Sequence, residues 1–268
     1  VPSTSDKVTP PSAPSPAGPS AAWTADELAN PHEHALKAGK VRGMFAAIAA
    51  SYDLNNRLHS LGRDQSWRRR AVRAAAVKPG DVVVDVACGT GDLTELFART
   101  PASRVIGIDF TPEMLSVARR KAETLPPEAH GKVEYREGDA QALQLPDASA
   151  DVVSIAFGIR NVVSPETAVR EFARILKPGG RLIILEFGRP PAGPARWFND
   201  FYCGWLMPRT ATWISGDRSG AYRYLPKSVG TFMDRTAMCG LLAQAGFREI
   251  EARGMTLGIC VCYRAVKP

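Results

Sequence analysis

No stretch of this sequence reaches the ~18–20 consecutive apolar residues that a membrane-spanning helix needs. The N-terminal segment also lacks the apolar core of a secretion signal. These two absences lead us to expect a cytoplasmic protein that could at most sit peripherally on the inner face of the membrane. Cysteine is sparse and odd in number, at positions 88, 203, 239, 260 and 262, with no Cys-x-x-Cys pair. That excludes a disulfide framework and suits small buried thiols in a reducing compartment. Cys260 and Cys262 alternate along an apolar run, so a strand there would point both to one face. Histidine is scarcer still, with His32 and His34 in the N-terminal tail, and no metal site is implied. No internal repeat is visible.

The 268 residues carry a net charge of +7 and a pI near 9.3. Length permits one large α/β domain or two small ones. A basic balance suits nucleic acid, anionic membrane surfaces or acidic ligands, and charge alone does not choose among them. Residues 1 to about 22 are rich in Pro, Ser, Ala and Thr, with Pro10, Pro11, Pro14, Pro16 and Pro19. Such a composition cannot bury enough surface to offset its ordering entropy, so we expect a disordered tail grading into a transitional segment, 1–40 together.

From Val41 onward the chain becomes periodic. Met44, Phe45, Ile48 and Tyr52 fall at helical spacing, and a second amphipathic piece over 64–76 carries Trp67 and Arg68, Arg69, Arg70 and Arg73; together they make an N-terminal helical cap, 41–76. The pattern then predicts strand 82–87, helix 92–99, strand 104–109, helix 112–124, strand 132–136, strand 151–156, helix 165–176 and strand 181–187. Alternation at this period implies a parallel sheet covered on both faces. Lys177-Pro178-Gly179-Gly180 should stop a helix and turn the chain into the next strand. Residues 189–230 lose clean periodicity. A helix over 233–245 and strands over 247–254 and 258–265 close the chain, the last two as an antiparallel pair at the sheet edge.

The most telling stretch is Val83-Val84-Asp85-Val86-Ala87-Cys88-Gly89-Thr90-Gly91-Asp92, a strand running into a glycine turn and a helix. Glycine lets backbone N–H groups approach a ligand, and the helix start adds partial positive charge. Gly-x-Gly after a strand is shared by dinucleotide and S-adenosylmethionine sites. Two details favour the latter. Leu93 and Thr94 occupy the place of a dinucleotide loop's third glycine. Asp85, inside the strand, would repel a pyrophosphate and attract a sulfonium and an ammonium. Ligands of open parallel sheets bind at the carboxyl ends of strands. There, Asp109 ends the second strand and can accept from both ribose hydroxyls. Asp139 and Ala140 follow the third, where a carboxylate and a backbone N–H can read an adenine edge. The fourth ends in Ala156-Phe157-Gly158-Ile159-Arg160-Asn161, facing the transferred group. Amine methyltransferases present a polar-Pro-Pro-aromatic run at that point. An Arg and an Asn instead suit an oxygen-bearing ring, Arg favouring a phenolate and Asn a neighbouring oxygen.

Several of these runs resemble the ubiquinone/menaquinone biosynthesis C-methyltransferase family. They are Met44-Phe45, Tyr52-Asp53, Asn56-Arg57, Asp64 with Trp67-Arg68, Asp85 to Asp92, Phe157 to Val162, Leu176 to Arg181, Leu185-Glu186-Phe187, and Tyr222-Arg223-Tyr224-Leu225-Pro226 with Ser228. The resemblance covers 41–268. It implies an α/β class I methyltransferase fold with a mostly parallel seven-stranded sheet, S-adenosyl-L-methionine as donor without a metal, and ring-carbon methylation of a polyprenylated quinol. Two departures stand out. Tyr263 replaces a His usual in the final strand, which removes any proton role there. Ala156 replaces a Ser of some members, leaving only its backbone for the donor.

The expected cofactor set is Asp85, Gly89, Thr90, Gly91, Asp109, Asp139, Ala140 and Ala156. The expected catalytic set is Arg160, Asn161 and Tyr52. Arg160 would stabilise a ring phenolate, and a water held by Arg160 and Asn161, or the Tyr52 phenol, would remove the proton. Eight aromatics between Trp197 and Tyr224 make 189–230 a candidate handler of the lipid tail, as a tunnel or an interfacial belt. Arg68-Arg69-Arg70 is a candidate contact with anionic lipid. A homodimer is a further partner reading, and nucleic acid is not called for. The rivals are a class I methyltransferase of another lipid or phenol, and a scaffold that has lost turnover.

Overall fold

A computed structural model describes residues 23, 27, 28, 30–32, 36–202, 205, 207–215 and 220–268. The expected Pro/Ser-rich tail over 1–22 lies outside them, as do His34 and Cys203. Seven strands form one sheet: β1 (Val82–Val86), β2 (Arg104–Asp109), β3 (Val133–Glu137), β4 (Ala150–Ala156), β5 (Leu176–Phe187), β6 (Arg248–Met255) and β7 (Cys260–Val266). Their order is β3-β2-β1-β4-β5-β7-β6. The first five are parallel, and β7 runs antiparallel between β5 and β6. The closing pair therefore sits at the edge as expected, with the last strand inside and β6 outermost.

Alternate residues of each central strand face two separate cores, which is why these strands read as near-continuous apolar runs. On one face Val84, Ile106, Val153, Ile155, Leu182 and Ile184 pack on α7 (Pro165–Ile175) and α11 (Arg235–Gln244). On the other, Val83, Val105, Val152, Ile183 and Leu185 meet α3 (Arg63–Ala75) and α4 (Asp92–Ala98). Each such buried aliphatic is worth roughly 1.5–3 kcal/mol of transfer free energy. Ser164 caps α7 by accepting from the Thr167 N–H at 3.1 Å, with Pro165 at the first helical position. Asp234 caps α11 through the Ala237 N–H at 2.8 Å.

Most boundaries move by one or two residues from the sequence reading, and two differences are larger. β5 begins at Leu176, because Leu176 pairs with Ala150 before a register shift absorbs Lys177 to Gly180 and pairing resumes at Arg181. The single helix expected from Val41 is two, α1 (Lys37–Ile48) and α2 (Tyr52–His59), broken at Ala49–Ser51. Phe45 and Tyr52 still meet edge to face, 5.9 Å between centroids.

A third core joins this cap to the later helices. Val41, Met44 and Ile48 pack with Met114 of α5 (Pro112–Ala122), Met207 and Ala211 of α9 (Met207–Ser215), and Tyr222 and Tyr224 of α10 (Ala221–Thr231). Trp23 stacks on Tyr224 at 4.8 Å, and His32 bonds the Ser228 carbonyl at 2.9 Å. Trp23 and His32, assigned from sequence to the tail and its transitional segment, are thus packed against the domain. Among the described residues no helix is long and apolar enough to cross a membrane.

Candidate functional site

The carboxyl ends of β1, β2, β3 and β4 meet at an open cleft of about 750 Å³. Its wall includes Gly89, Asp109, Asp139, Ala140, Ala156 and Asn161, together with Tyr52 and Phe45 from the cap. A smaller recess continues past Gly89 and shares Tyr52, Ala87, Gly89 and Ala156 with the cleft. Asp85, Thr90, Asp92, Cys88 and Arg68 line it. Ala87 (φ 51°) and Phe157 (φ 57°), which follow β1 and β4, both hold left-handed backbone. Such conformations cost about 1–3 kcal/mol each and persist only where surroundings enforce them. Here they end two adjacent strands at the cleft, which both residues line.

Gly89, at φ +56°, has no atom within 4 Å of where a Cβ would stand, so its missing side chain leaves room in the cleft. Its N–H donates to Asp109 Oδ2 at 2.8 Å, and the Thr111 N–H donates to Oδ1 at 2.9 Å. The Asp109 carboxylate is therefore oriented, with one lone pair on each oxygen already used. Burial pushes its pKa up, against the pull of those N–H groups. Asp139 is exposed at the cleft rim and accepts from the Gln141 N–H at 2.9 Å. Asp85 is almost wholly buried, accepting from Thr94 at 2.6 Å and Ser154 at 2.7 Å. Burial outweighs both hydroxyls and raises its carboxyl to about 6.

A web of charge ties the cap to the glycine turn. Thr90 donates to Asp53 at 2.6 Å. Arg57 grips Asp92 through two bonds of 3.0 and 3.1 Å, and Lys121 bridges Asp92 and Asp53 at 2.6 and 2.7 Å. Burial works against the charge on Asp92, yet these cations win and hold its carboxyl far below the ordinary range.

Three of the expected site residues sit as follows. Arg160 does not line the cleft. Its guanidinium is buried, donating to Glu186 at 2.7 Å and to the Phe157 carbonyl at 2.6 Å, and lies 5.3 Å from the Phe187 ring centroid. In this arrangement the guanidinium is engaged in a buried ion pair with Glu186. Gly91 does not line the cleft or the recess either. A Cβ there would collide with the Tyr135 hydroxyl and sit 3.2 Å from Ala118, so packing and the left-handed start of α4 (φ +85°) require the glycine. Tyr52 faces both cavities, and burial raises its phenol above the ordinary value.

Asn161 does line the cleft. Tyr224 donates to its Oδ1 at 3.0 Å, and its Nδ2 donates to the Phe157 carbonyl at 3.3 Å. Behind it, the buried Lys37 ammonium donates to the carbonyls of Arg160 and Val162 at 3.1 and 2.5 Å. Desolvation, helped by Arg160, lowers Lys37 to about 8. None of the described residues of 189–230 lines the cleft; its apolar wall includes Phe45, Phe110, Met114, Val162 and Val163. Phe110 and Met114 lie one and five residues past Asp109, so position after a strand end could have flagged them. Arg68 points inward while Arg69 and Arg70 are exposed, so the three do not form one lipid-facing patch. Among the described residues no group of acidic, His or Cys side chains could hold a metal.

The residues fit a nucleoside with a cationic tail. Gly89 leaves open space, Asp109 and Asp139 offer acceptors on one side of it, and Asp85 offers buried negative charge on the other. The model of the ubiE/COQ5 methyltransferase family matches residues 33–267. The chain is 44% identical to the demethylmenaquinone methyltransferase of Thermus thermophilus, over 84% of this chain and all of that one. It is 39% identical to the ubiquinone/menaquinone biosynthesis C-methyltransferase UbiE of Ectopseudomonas mendocina, over 87% and 90%. Among solved structures, a SAM-dependent methyltransferase of Thermotoga maritima superposes with a TM-score of 0.58 at 20% identity, covering 85% of this chain and all of that one. One from Aquifex aeolicus gives 0.54 at 19%, covering 75% and 89%. The fold is that of class I S-adenosylmethionine-dependent methyltransferases.

Proposed function

The chain belongs to the ubiE/COQ5 methyltransferase family, and on that premise we propose that it methylates a ring carbon of a polyprenylated quinol. The reaction is demethylmenaquinol to menaquinol, or the equivalent benzoquinol step of ubiquinone synthesis, with S-adenosylmethionine as donor. The observation that carries this reading is the pair of joined cavities, acceptors for a nucleoside in one and a buried carboxylate in the other, with an apolar wall beside their junction.

When bound, the donor supplies an electrophilic sulfonium methyl, which an electron-rich quinol ring can attack and a quinone cannot. Asp109 holds the ribose hydroxyls with the lone pairs its two backbone bonds leave over. Asp139 and the Ala140 backbone take the adenine edge. Ala87, Gly89 and Ala156 border the junction beside Tyr52, and their small or absent side chains leave the methyl a free path, with Thr90 lining the recess beyond. Phe45, Phe110, Met114 and Val162 clamp the ring so that its carbon lies in line, which can supply much of the barrier reduction.

Loss of a ring hydroxyl proton pushes electron density onto the neighbouring carbon, which takes the methyl as the methyl–sulfur bond breaks and its electron pair stays on sulfur. That carbon then gives up its own hydrogen as a proton while the ring oxygen is reprotonated, restoring the quinol. Tyr52, a phenol protonated at neutral pH even at its ordinary value, donates to the developing phenolate. Asn161 adds a second donor. Tyr224 occupies its oxygen, Phe157 takes one amide proton, and the other remains for substrate. Two preset neutral donors stabilise the oxyanion formed by proton loss, which the ring gives up again as its carbon takes the methyl. Water in the open cleft accepts the proton. Arg160 serves as a positioning residue, fixing the turn that carries Asn161.

The prenyl tail needs a lipid-facing exit, and Trp197, Phe201 and Trp205 support one. They are 71, 46 and 49% exposed and stack in succession at 6.2 and 5.4 Å, with Arg209 4.7 Å over Trp205. This ladder suits peripheral contact with an anionic membrane surface. Mass spectrometry of quinones from cells lacking the protein tests the substrate. A demethylated naphthoquinone or benzoquinone should accumulate and name the branch, and an unchanged quinone profile refutes the reading.

A further inference from the structure

Arg68 is the one cation among the described residues lining either the cleft or the recess. It arrives from α3 in the cap, and its guanidinium is nearly enclosed, 5.4 Å from the Phe157 ring centroid. Trp67 beside it anchors the helix, its indole N–H donating to Thr256 at 2.9 Å. Of Arg68's five N–H donors, one is committed, Nη1 to Asp64 at 2.7 Å. Nη2 stands 3.9 Å from Asp92, too far for a hydrogen bond.

Its acidic neighbours do not depend on it. Asp64 also accepts from Arg57, Ser60 and Gln65 at 3.1, 2.9 and 3.0 Å. Asp92 is supplied by Arg57, Gln65 and Lys121. A buried guanidinium with spare donors, its neighbours satisfied by others, is arranged to receive an anion from the recess. Asp85 lines the same recess, an acid whose charge is disfavoured by burial and eased by Arg68. With Asp92 already paired to Arg57 and Lys121, the recess offers a guanidinium with spare donors and the Asp85 carboxyl, which no cation among the described residues bonds; that pair matches an α-amino acid.

We propose that Arg68 binds the α-carboxylate of the methyl donor's amino-acid tail, with Asp85 facing the ammonium. This rests on the donor-site reading above. It makes the Asp64-x-x-Trp67-Arg68 run of the cap part of the donor site, so that α3 closes the recess over the end of the donor farthest from adenine. The Arg68 guanidinium is planar and can meet a carboxylate with two parallel bonds, a geometry that an ammonium cannot copy.

Binding of two nucleosides to the full chain by calorimetry tests it. S-adenosylhomocysteine carries the amino-acid tail; 5′-methylthioadenosine lacks it. In Arg68→Ala, affinity for S-adenosylhomocysteine should fall at least about tenfold, as expected for a lost charge-assisted pair. Affinity for 5′-methylthioadenosine should stay within about twofold. Arg68→Lys should recover only part of the loss. Equal weakening of both ligands would mean a structural role for Arg68, and unchanged S-adenosylhomocysteine affinity would mean none; either overturns the proposal. Should Arg68→Ala fail to fold, the unaltered protein still decides. Decarboxylated S-adenosylhomocysteine, which keeps the ammonium, should bind at least about tenfold more weakly than S-adenosylhomocysteine, and equal affinity overturns the proposal. If the unaltered protein binds none of these nucleosides, the donor-site reading itself falls.

Discussion

Asp85 sets stability against function, and Asp85→Asn separates the two. Burial lifts its carboxyl from 3.8 to about 6. At 1.36 kcal/mol for each pKa unit, the folded protein without donor carries on the order of 3 kcal/mol of penalty at neutral pH. The sign follows from proton binding. Between about pH 4 and pH 6 the folded state holds a proton on Asp85 that the unfolded chain has released. Stability of the protein therefore falls as pH rises through that window. Asn is isosteric, and the Thr94 and Ser154 hydroxyls can rotate to serve it. The variant should gain about 1–3 kcal/mol at pH 7.5, or several degrees in Tm, and the gain should vanish by about pH 4. Its affinity for S-adenosylhomocysteine should drop at least about tenfold, because the ammonium loses its counter-charge. Thermal melts at the two pH values and calorimetry at pH 7.5 measure both effects. A variant less stable than the parent at pH 7.5, with donor affinity intact, would refute the assignment of Asp85 as a destabilising, ligand-facing charge.

Arg160→Ala and Glu186→Ala should each cost about 3–5 kcal/mol in urea unfolding, since each strands a buried charge. The double variant should cost less than their sum; a fully stable Arg160→Ala protein without turnover would return Arg160 to direct contact with substrate. Gly91→Ala should destabilise by more than about 2 kcal/mol through its clash with Tyr135, whereas Gly89→Ala, open on its Cβ side, should cost about 1 kcal/mol and chiefly block donor binding. Equal losses of stability at the two glycines would contradict this division. Asp92, held below the ordinary carboxylate range, stabilises the fold above about pH 4 and loses that effect as pH falls further. An acid-unfolding curve for Asp92→Asn should accordingly be flatter on its acid limb, and superimposable curves would refute the point.

The sheet was legible because its central strands are buried on both faces and so read as apolar runs between turn signals. The 104–109 strand coincides with β2 to the residue, and β1 and β4 agree within one. Pro226 lies inside α10, against the usual reading of proline as a helix breaker; the third core holds that helix through Tyr222 and Tyr224. In the site, Gly89, Asp109 and Asp139 could be located from strand ends alone. The direction of a side chain could not. Arg160 turns inward because Glu186, 26 residues later, lies beneath it, and Arg68 because Asp64 and the recess lie on its side of α3. Such partners meet only once the sheet order is fixed. Lys37 was missed for the same reason, its carbonyl partners lying more than 120 residues downstream.

Methyl transfer to carbon is the central claim, and isotope tracing tests it most directly. Purified protein, S-adenosylmethionine with a deuterated methyl group and chemically reduced demethylmenaquinol or demethylated benzoquinol should yield a product carrying the whole labelled methyl on a ring carbon. The oxidised quinone should give none. Label on oxygen, or no labelled product from either quinol, would contradict the account.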